Sequence, residues 1–105
     1  DNPRPQLYEA VYTAVSAARA NEPAGEHVSI AGMHCESGDV LIDDVALPVP
    51  RRGDLLAVPA TGAYTLAMAS NYNGVTRPAA VLVGSGKARL IRSRETIADL
   101  LRAEV

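Results

Sequence analysis

The sequence predicts a mainly β domain, a β-sandwich or Greek-key barrel with a short internal helix and a C-terminal helix. Three observations point there. Six or so short apolar runs have the length of strands, about four to eight residues each. Pro and Gly clusters separate them at intervals that suit tight turns. The 105 residues make one domain, 1–105, without internal repeat or low-complexity tract, and a chain of that size buries roughly two-thirds of its unfolded surface. With no Phe and no Trp, the core falls to Val, Leu, Ile, Ala and a few Tyr.

The elements follow in order. Residues 6–17, Gln-Leu-Tyr-Glu-Ala-Val-Tyr-Thr-Ala-Val-Ser-Ala, alternate Leu7, Glu9, Val11, Thr13 and Val15 against Tyr8, Ala10 and Tyr12. That pattern fits helix or strand, and the Tyr, Val and Thr content behind two prolines favours strand. Ala20–Glu26 is a loop by its Pro and Gly. His27–Ala31 and Asp39–Ile42 are short strands on either side of Met33-His34-Cys35-Glu36-Ser37-Gly38-Asp39. Pro48–Gly53 is a loop, Asp54–Pro59 a strand, and Thr61–Asn73 a short helix entered at Gly62. Pro78–Val83 and Lys87–Arg92 form a hairpin about Gly84-Ser85-Gly86. Arg94–Val105 reads as an amphipathic helix with Ser93 as N-cap, Thr96 at N3, and Ile97, Leu100, Leu101 and Val105 on one side.

Charge and composition exclude several classes. A net charge of −2 leaves no electrostatic footprint for nucleic acid or an anionic membrane. No apolar run approaches the roughly 20 residues of a membrane span. The start, Asp1-Asn2-Pro3-Arg4-Pro5, does not read as a signal peptide and resembles the interior of a longer chain. One cysteine allows no internal disulfide and fits a reducing cytoplasm.

That cysteine, Cys35, stands between an imidazole and a carboxylate. A structural zinc site wants four ligands, whereas the chain offers one Cys and two His without metal-ligand spacing. In an extended segment His34 and Cys35 face opposite ways, which argues against a nucleophilic dyad. Glu36 and Asp39 bring negative charge near the thiol and favour its protonated form, a poor nucleophile but a usable general acid. A half-buried cysteine at a strand-to-turn junction remains equally open. Arg4 between two prolines could hold a carboxylate, or it could be a solvated charge. Tyr8 and Tyr64 read first as packing residues, and Gly38-Asp39 as turn chemistry.

Taken together, the motifs are more specific. Asp1-Asn2-Pro3-Arg4-Pro5-Gln6-Leu7-Tyr8, His34-Cys35-Glu36-Ser37-Gly38-Asp39, Gly53-Asp54, Thr61-Gly62-Ala63-Tyr64 and Asn71-Tyr72-Asn73 occur in that order. Arg77-Pro78, Ala88-Arg89-Leu90-Ile91-Arg92 and Arg94-Glu95-Thr96 continue the series. The whole resembles the C-terminal portion of the diaminopimelate decarboxylase family. The resemblance implies a pyridoxal 5'-phosphate barrel joined to a C-terminal β domain, in homodimers whose subunits share active sites. It implies removal of CO2 from meso-diaminopimelate to give L-lysine. Residue by residue, it implies that Cys35 is the catalytic proton donor to the neighbouring subunit's cofactor. Glu36 would meet the substrate's distal amino group, Arg4 and Tyr8 its distal carboxylate, and Tyr64 both substrate and cofactor.

The family's Schiff-base lysine lies in the barrel. The only lysine here, Lys87, follows a hairpin tip and matches no catalytic position, so this chain alone is expected to be inactive. Related ornithine, arginine and carboxynorspermidine decarboxylases are an alternative, although Arg4 with Tyr8 favours a substrate with a distal carboxylate. A free-standing β module that binds a partner is the alternative from another class.

Overall fold

The computed structural model describes residues 4–105, so the Asp1-Asn2-Pro3 start of the first motif lies outside the described residues. Among the described residues the chain is mainly β. Six strands pair into three two-stranded antiparallel ladders, and no barrel closes. The chain divides into two compact units, one running to Met68 and the other Ala69–Val105.

The first unit begins with helix α1, Arg4–Tyr8, where the sequence favoured a strand over 6–17. Pro5 explains the difference. A proline in the first turn of a helix loses no hydrogen bond, because the first four backbone N–H groups have no intrahelical partner. Glu9 then enters the left-handed region at φ 53° and ends the helix. Of the expected strand only β1, Val15–Ser16, remains. It pairs with β4, Leu56–Ala57, which is likewise all that forms of the expected strand Asp54–Pro59.

Strands β2, Glu26–Ala31, and β3, Val40–Leu47, form the main hairpin, and β3 runs further than the expected Asp39–Ile42. The reason is a bulge. Val28 pairs with Val45 and Ile30 with Ile42, so β3 carries one extra residue at Asp43-Asp44. The bulge lets Ile42 and Val45 both turn inward while two adjacent carboxylates stay in water. Ala14, Ile42, Val45 and Leu47 are the buried core, with Tyr12, Val28, Ile30, Leu41 and Val58 packed against it. The Arg19 guanidinium ties the following loop by ion-pairing with Asp54 and donating to the Val49 carbonyl at 3.2 Å. The Arg51 backbone N–H, then Arg19, hold the Asp54 carboxyl below its ordinary range. Helix α2, Gly62–Met68, completes the unit within the expected Thr61–Asn73.

In the second unit a short 3-10 turn, Tyr72–Gly74, precedes strands β5, Ala80–Gly84, and β6, Lys87–Arg92. Their tight connection, Ser85-Gly86, has φ of 50° and 69°, the positive pair that suits a right-twisted hairpin. Glu95 gathers three segments. Its carboxylate accepts from Asn71 Nδ2 at 2.7 Å, the Arg77 backbone N–H at 2.8 Å and Arg77 Nη1 at 3.2 Å. These bonds, led by the Arg77 N–H, lower its pKa. Helix α3 spans only Ile97–Leu100, and its N-cap is Thr96, not Ser93. Asp99 at N3 returns the bond to Thr96 N–H at 2.8 Å, a complete capping box. Arg94–Val105 falls short of a full amphipathic helix because Ile97, Leu101 and Val105 remain exposed, and packing of an apolar face is what sustains short helices.

Candidate active site

Three segments of the first unit carry the predicted site residues. Arg4 and Tyr8 lie on α1, Cys35 and Glu36 on the loop joining β2 to β3, and Tyr64 on α2. Local chemistry brings these segments together. The Arg4 guanidinium lies over the Tyr64 ring, 4.1 Å from its centroid, a cation–π stack that joins α1 to α2. Arg4 Nη1 also donates to the Tyr12 hydroxyl at 3.4 Å. Stacking fixes the plane of the guanidinium, and a planar fork of N–H donors is the geometry that suits a carboxylate.

The Cys35 loop adjoins both helices. A Cβ placed on Gly38 would lie 3.5 Å from Gln6 Cγ, so α1 runs beside the end of the loop. Gly32 and Asp39, at the two ends of the loop, share a cleft of about 290 Å³ with Thr61 and Thr65 at the start of α2. Tyr8, Cys35 and Glu36 are exposed on these adjoining segments, whereas Arg4 and Tyr64 touch directly. A guanidinium, a carboxylate, a thiol and two phenols are thus presented by one compact unit.

Asp39 organises the loop. Its backbone carbonyl accepts the Gly32 N–H at 2.8 Å, its N–H donates to the Glu36 carbonyl at 3.3 Å, and its carboxylate accepts the His34 N–H at 2.9 Å. In sequence Gly38-Asp39 reads as ordinary turn chemistry, and Gly32 and Tyr12 have no assigned part in the site. A glycine and an aspartate at opposite ends of the loop were the available signal for the first two. Tyr12 had none, because its contact depends on the helical course of α1.

His27 Nδ1 pairs with Asp44 Oδ1 at 2.8 Å on β2, and His34 engages Asp39 through its backbone. Lys87 opens β6 in the second unit, directly after the Ser85-Gly86 turn, and is exposed. Gly84-Ser85-Gly86 leads into a strand and so lacks the helix N-terminus of a phosphate cradle. Among the described residues no helix is long and apolar enough to cross a membrane.

Comparison with known proteins identifies the family of the chain. Residues 1–62 match the family model described as pyridoxal-dependent decarboxylase, C-terminal sheet domain. The chain is 57% identical to a diaminopimelate decarboxylase of Synechocystis sp., over 99% of its own length and 22% of that protein. It is 51% identical to the diaminopimelate decarboxylase of Bacillus subtilis, over 100% of its own length and 24% of that protein. A crystal structure of the M. jannaschii diaminopimelate decarboxylase in co-complex with L-lysine superposes with a TM-score of 0.88. It is 44% identical, and the match covers 100% of this chain and 24% of that one. The chain therefore spans about a quarter of the length of these relatives. It belongs to the family of pyridoxal-dependent decarboxylase C-terminal sheet domains.

Proposed function

We propose that this chain is the C-terminal domain of a diaminopimelate decarboxylase, which converts meso-2,6-diaminopimelate to L-lysine and CO2 in the cytoplasm. The observation that carries the reading is the Arg4 guanidinium stacked on Tyr64, in the unit that also presents the Cys35-Glu36 loop. The distal end of diaminopimelate is zwitterionic and calls for a cation and an anion together. Arg4 with Tyr8 binds the distal carboxylate, Glu36 binds the distal ammonium, and Tyr64 both steadies Arg4 and reaches substrate and cofactor. An ornithine-type substrate would leave Arg4 without an anion, which disfavours that reading.

Pyridoxal phosphate, when bound, supplies the electron sink for the bond pair left by departing CO2. Covalent attachment of the cofactor belongs to the barrel domain, because Lys87 sits at a hairpin tip in the other unit and no phosphate cradle accompanies it. This chain contributes binding and proton chemistry. The Cys35 thiol delivers the proton that replaces CO2 on the substrate's α-carbon, in the site of a second subunit. The reducing cytoplasm keeps that thiol available. The β-sandwich or Greek-key arrangement forms part of the same proposal. Val81, Leu82, Val83, Leu90 and Ile91 of β5 and β6 are each more than half exposed, and the rest of the enzyme covers them.

Subunit mixing tests the reading in the full-length enzyme. Cys35→Ala should keep cofactor binding and lose most turnover. One subunit carrying Cys35→Ala is then combined with one lacking the barrel lysine. Random reassortment makes about half the dimers mixed, each with one complete site, so about a quarter of wild-type activity should return. If differential tagging verifies mixed dimers and no activity returns, thiol and lysine do not act across subunits. Full turnover in Cys35→Ala would remove the thiol from the mechanism.

A further inference from the structure

We propose that Asp39 is the positioning residue of the catalytic loop, with a seat that exists only because residue 32 is glycine. The proposal deepens, and rests on, the reading of Cys35 as proton donor. Asp39 makes three hydrogen bonds back into its own loop, and they reach Gly32, His34 and Glu36. The last two are the immediate neighbours of Cys35. Its carboxylate accepts from the Met33–His34 peptide at 2.9 Å and its N–H donates to the carbonyl of the Glu36–Ser37 peptide at 3.3 Å, which brackets the His34-Cys35-Glu36 stretch. The Gly32–Asp39 backbone bond of 2.8 Å closes the base. Cys35 is exposed, and these ties fix the course of the backbone on both sides of it.

Gly32 makes room for the arrangement. A Cβ there would overlap Asp39 Oδ2 and lie 2.5 Å from its Cγ, closer than real Cβ atoms approach anything. The obstructed group is the end of a side chain, so a methyl at position 32 is accommodated by expelling the carboxylate from its seat. Gly32 and Asp39 therefore form one device. The carboxylate serves here as a hydrogen-bond acceptor for the His34 N–H, and a neutral acceptor of the same shape would do the same work.

The test uses the full-length decarboxylase. Asp39→Ala should lower kcat about tenfold to a hundredfold, the scale of misplacing a reacting group by about 1 Å, while KM moves less than about threefold. Asp39→Asn keeps an acceptor for His34 N–H and should stay within about threefold of wild type. Gly32→Ala should match Asp39→Ala, and the double variant should be no worse than either single one. Amide exchange of the 33–38 segment should accelerate in Asp39→Ala and in Gly32→Ala but not in Asp39→Asn. If Asn is as damaging as Ala, the carboxylate acts through charge and the proposal fails. It fails equally if the two substitutions add, or if Asp39→Ala leaves exchange unchanged. Failure of the underlying reading shows elsewhere, as full turnover in Cys35→Ala.

Discussion

Replacing Arg4 by alanine in the full-length enzyme isolates substrate recognition from chemistry. Arg4 is stacked at 4.1 Å on Tyr64 and touches Tyr12 Oη at 3.4 Å before any ligand arrives. The guanidinium is thus preoriented, and little of the energy of a carboxylate contact is spent on ordering it. A charge-assisted hydrogen bond to the distal carboxylate contributes about 1.5–3 kcal/mol. At about 1.4 kcal/mol per factor of ten, kcat/KM for diaminopimelate should fall about tenfold to about 140-fold. The distal end does not change between ground and transition state, so the loss should appear in KM, with kcat nearly unchanged. Arg4→Lys retains the charge but loses the planar fork and should fall between wild type and alanine. Steady-state CO2 release measures all three proteins. An unchanged KM in Arg4→Ala, or efficient decarboxylation of ornithine by the wild type, would refute the assignment of the distal carboxylate to Arg4.

Three further outcomes are expected. Leu47→Ala, at a side chain only 2% exposed, should cost about 2–5 kcal/mol in urea unfolding; a cost below about 1 kcal/mol would mean the cavity collapses freely. Glu95 has a lowered pKa in the folded chain, first through the Arg77 backbone N–H and then through Asn71. Its contribution is therefore present above the unfolded pKa and lost as pH falls through the lower folded one, and Glu95→Gln should flatten the acid side of the stability-against-pH curve. Lys87 is exposed after a hairpin turn, so titrating this chain with pyridoxal phosphate should give no saturable cofactor absorbance band; a stoichiometric band abolished by Lys87→Ala would overturn that expectation.

The β-hairpins were the most legible part of the fold. His27–Ala31 and Lys87–Arg92 correspond to strands because their apolar runs end at glycine-containing turns. Local polar chemistry hid the rest. Asp43-Asp44 interrupts the apolar pattern of β3, and only the bulge reveals that the strand continues to Leu47. Around Arg4–Tyr8, residue preference suggested a strand, whereas proline placement allows a first helical turn. At the C-terminus both Ser93 and Thr96 were possible caps, and Asp99 three residues after Thr96 decides between them. Of the site, composition and spacing yielded only a suggestive cluster at Cys35. Roles for Arg4, Tyr8, Glu36 and Tyr64 came from family resemblance. The Arg4–Tyr64 stack joins residues sixty positions apart in sequence, and no local pattern encodes such a contact.

The hairpin separates the residues that stabilise the first unit from those that orient the thiol. Leu47 pairs with Glu26 at one end of the β2–β3 ladder, and the Cys35 loop leaves from Ala31 and Val40 at the other. Five residues of β2 separate the two ends, roughly 17 Å at about 3.4 Å per residue. The core of Ala14, Ile42, Val45 and Leu47 is held by apolar burial. The loop is held by the hydrogen bonds of Asp39 and the space at Gly32. Sites more than about 7–10 Å apart without shared partners contribute independently. Leu47→Ala should therefore lower stability while leaving the placement of Cys35 intact, and Asp39→Ala should do the reverse. An exposed loop held by its own hydrogen bonds can face another surface without exposing the apolar centre of its unit.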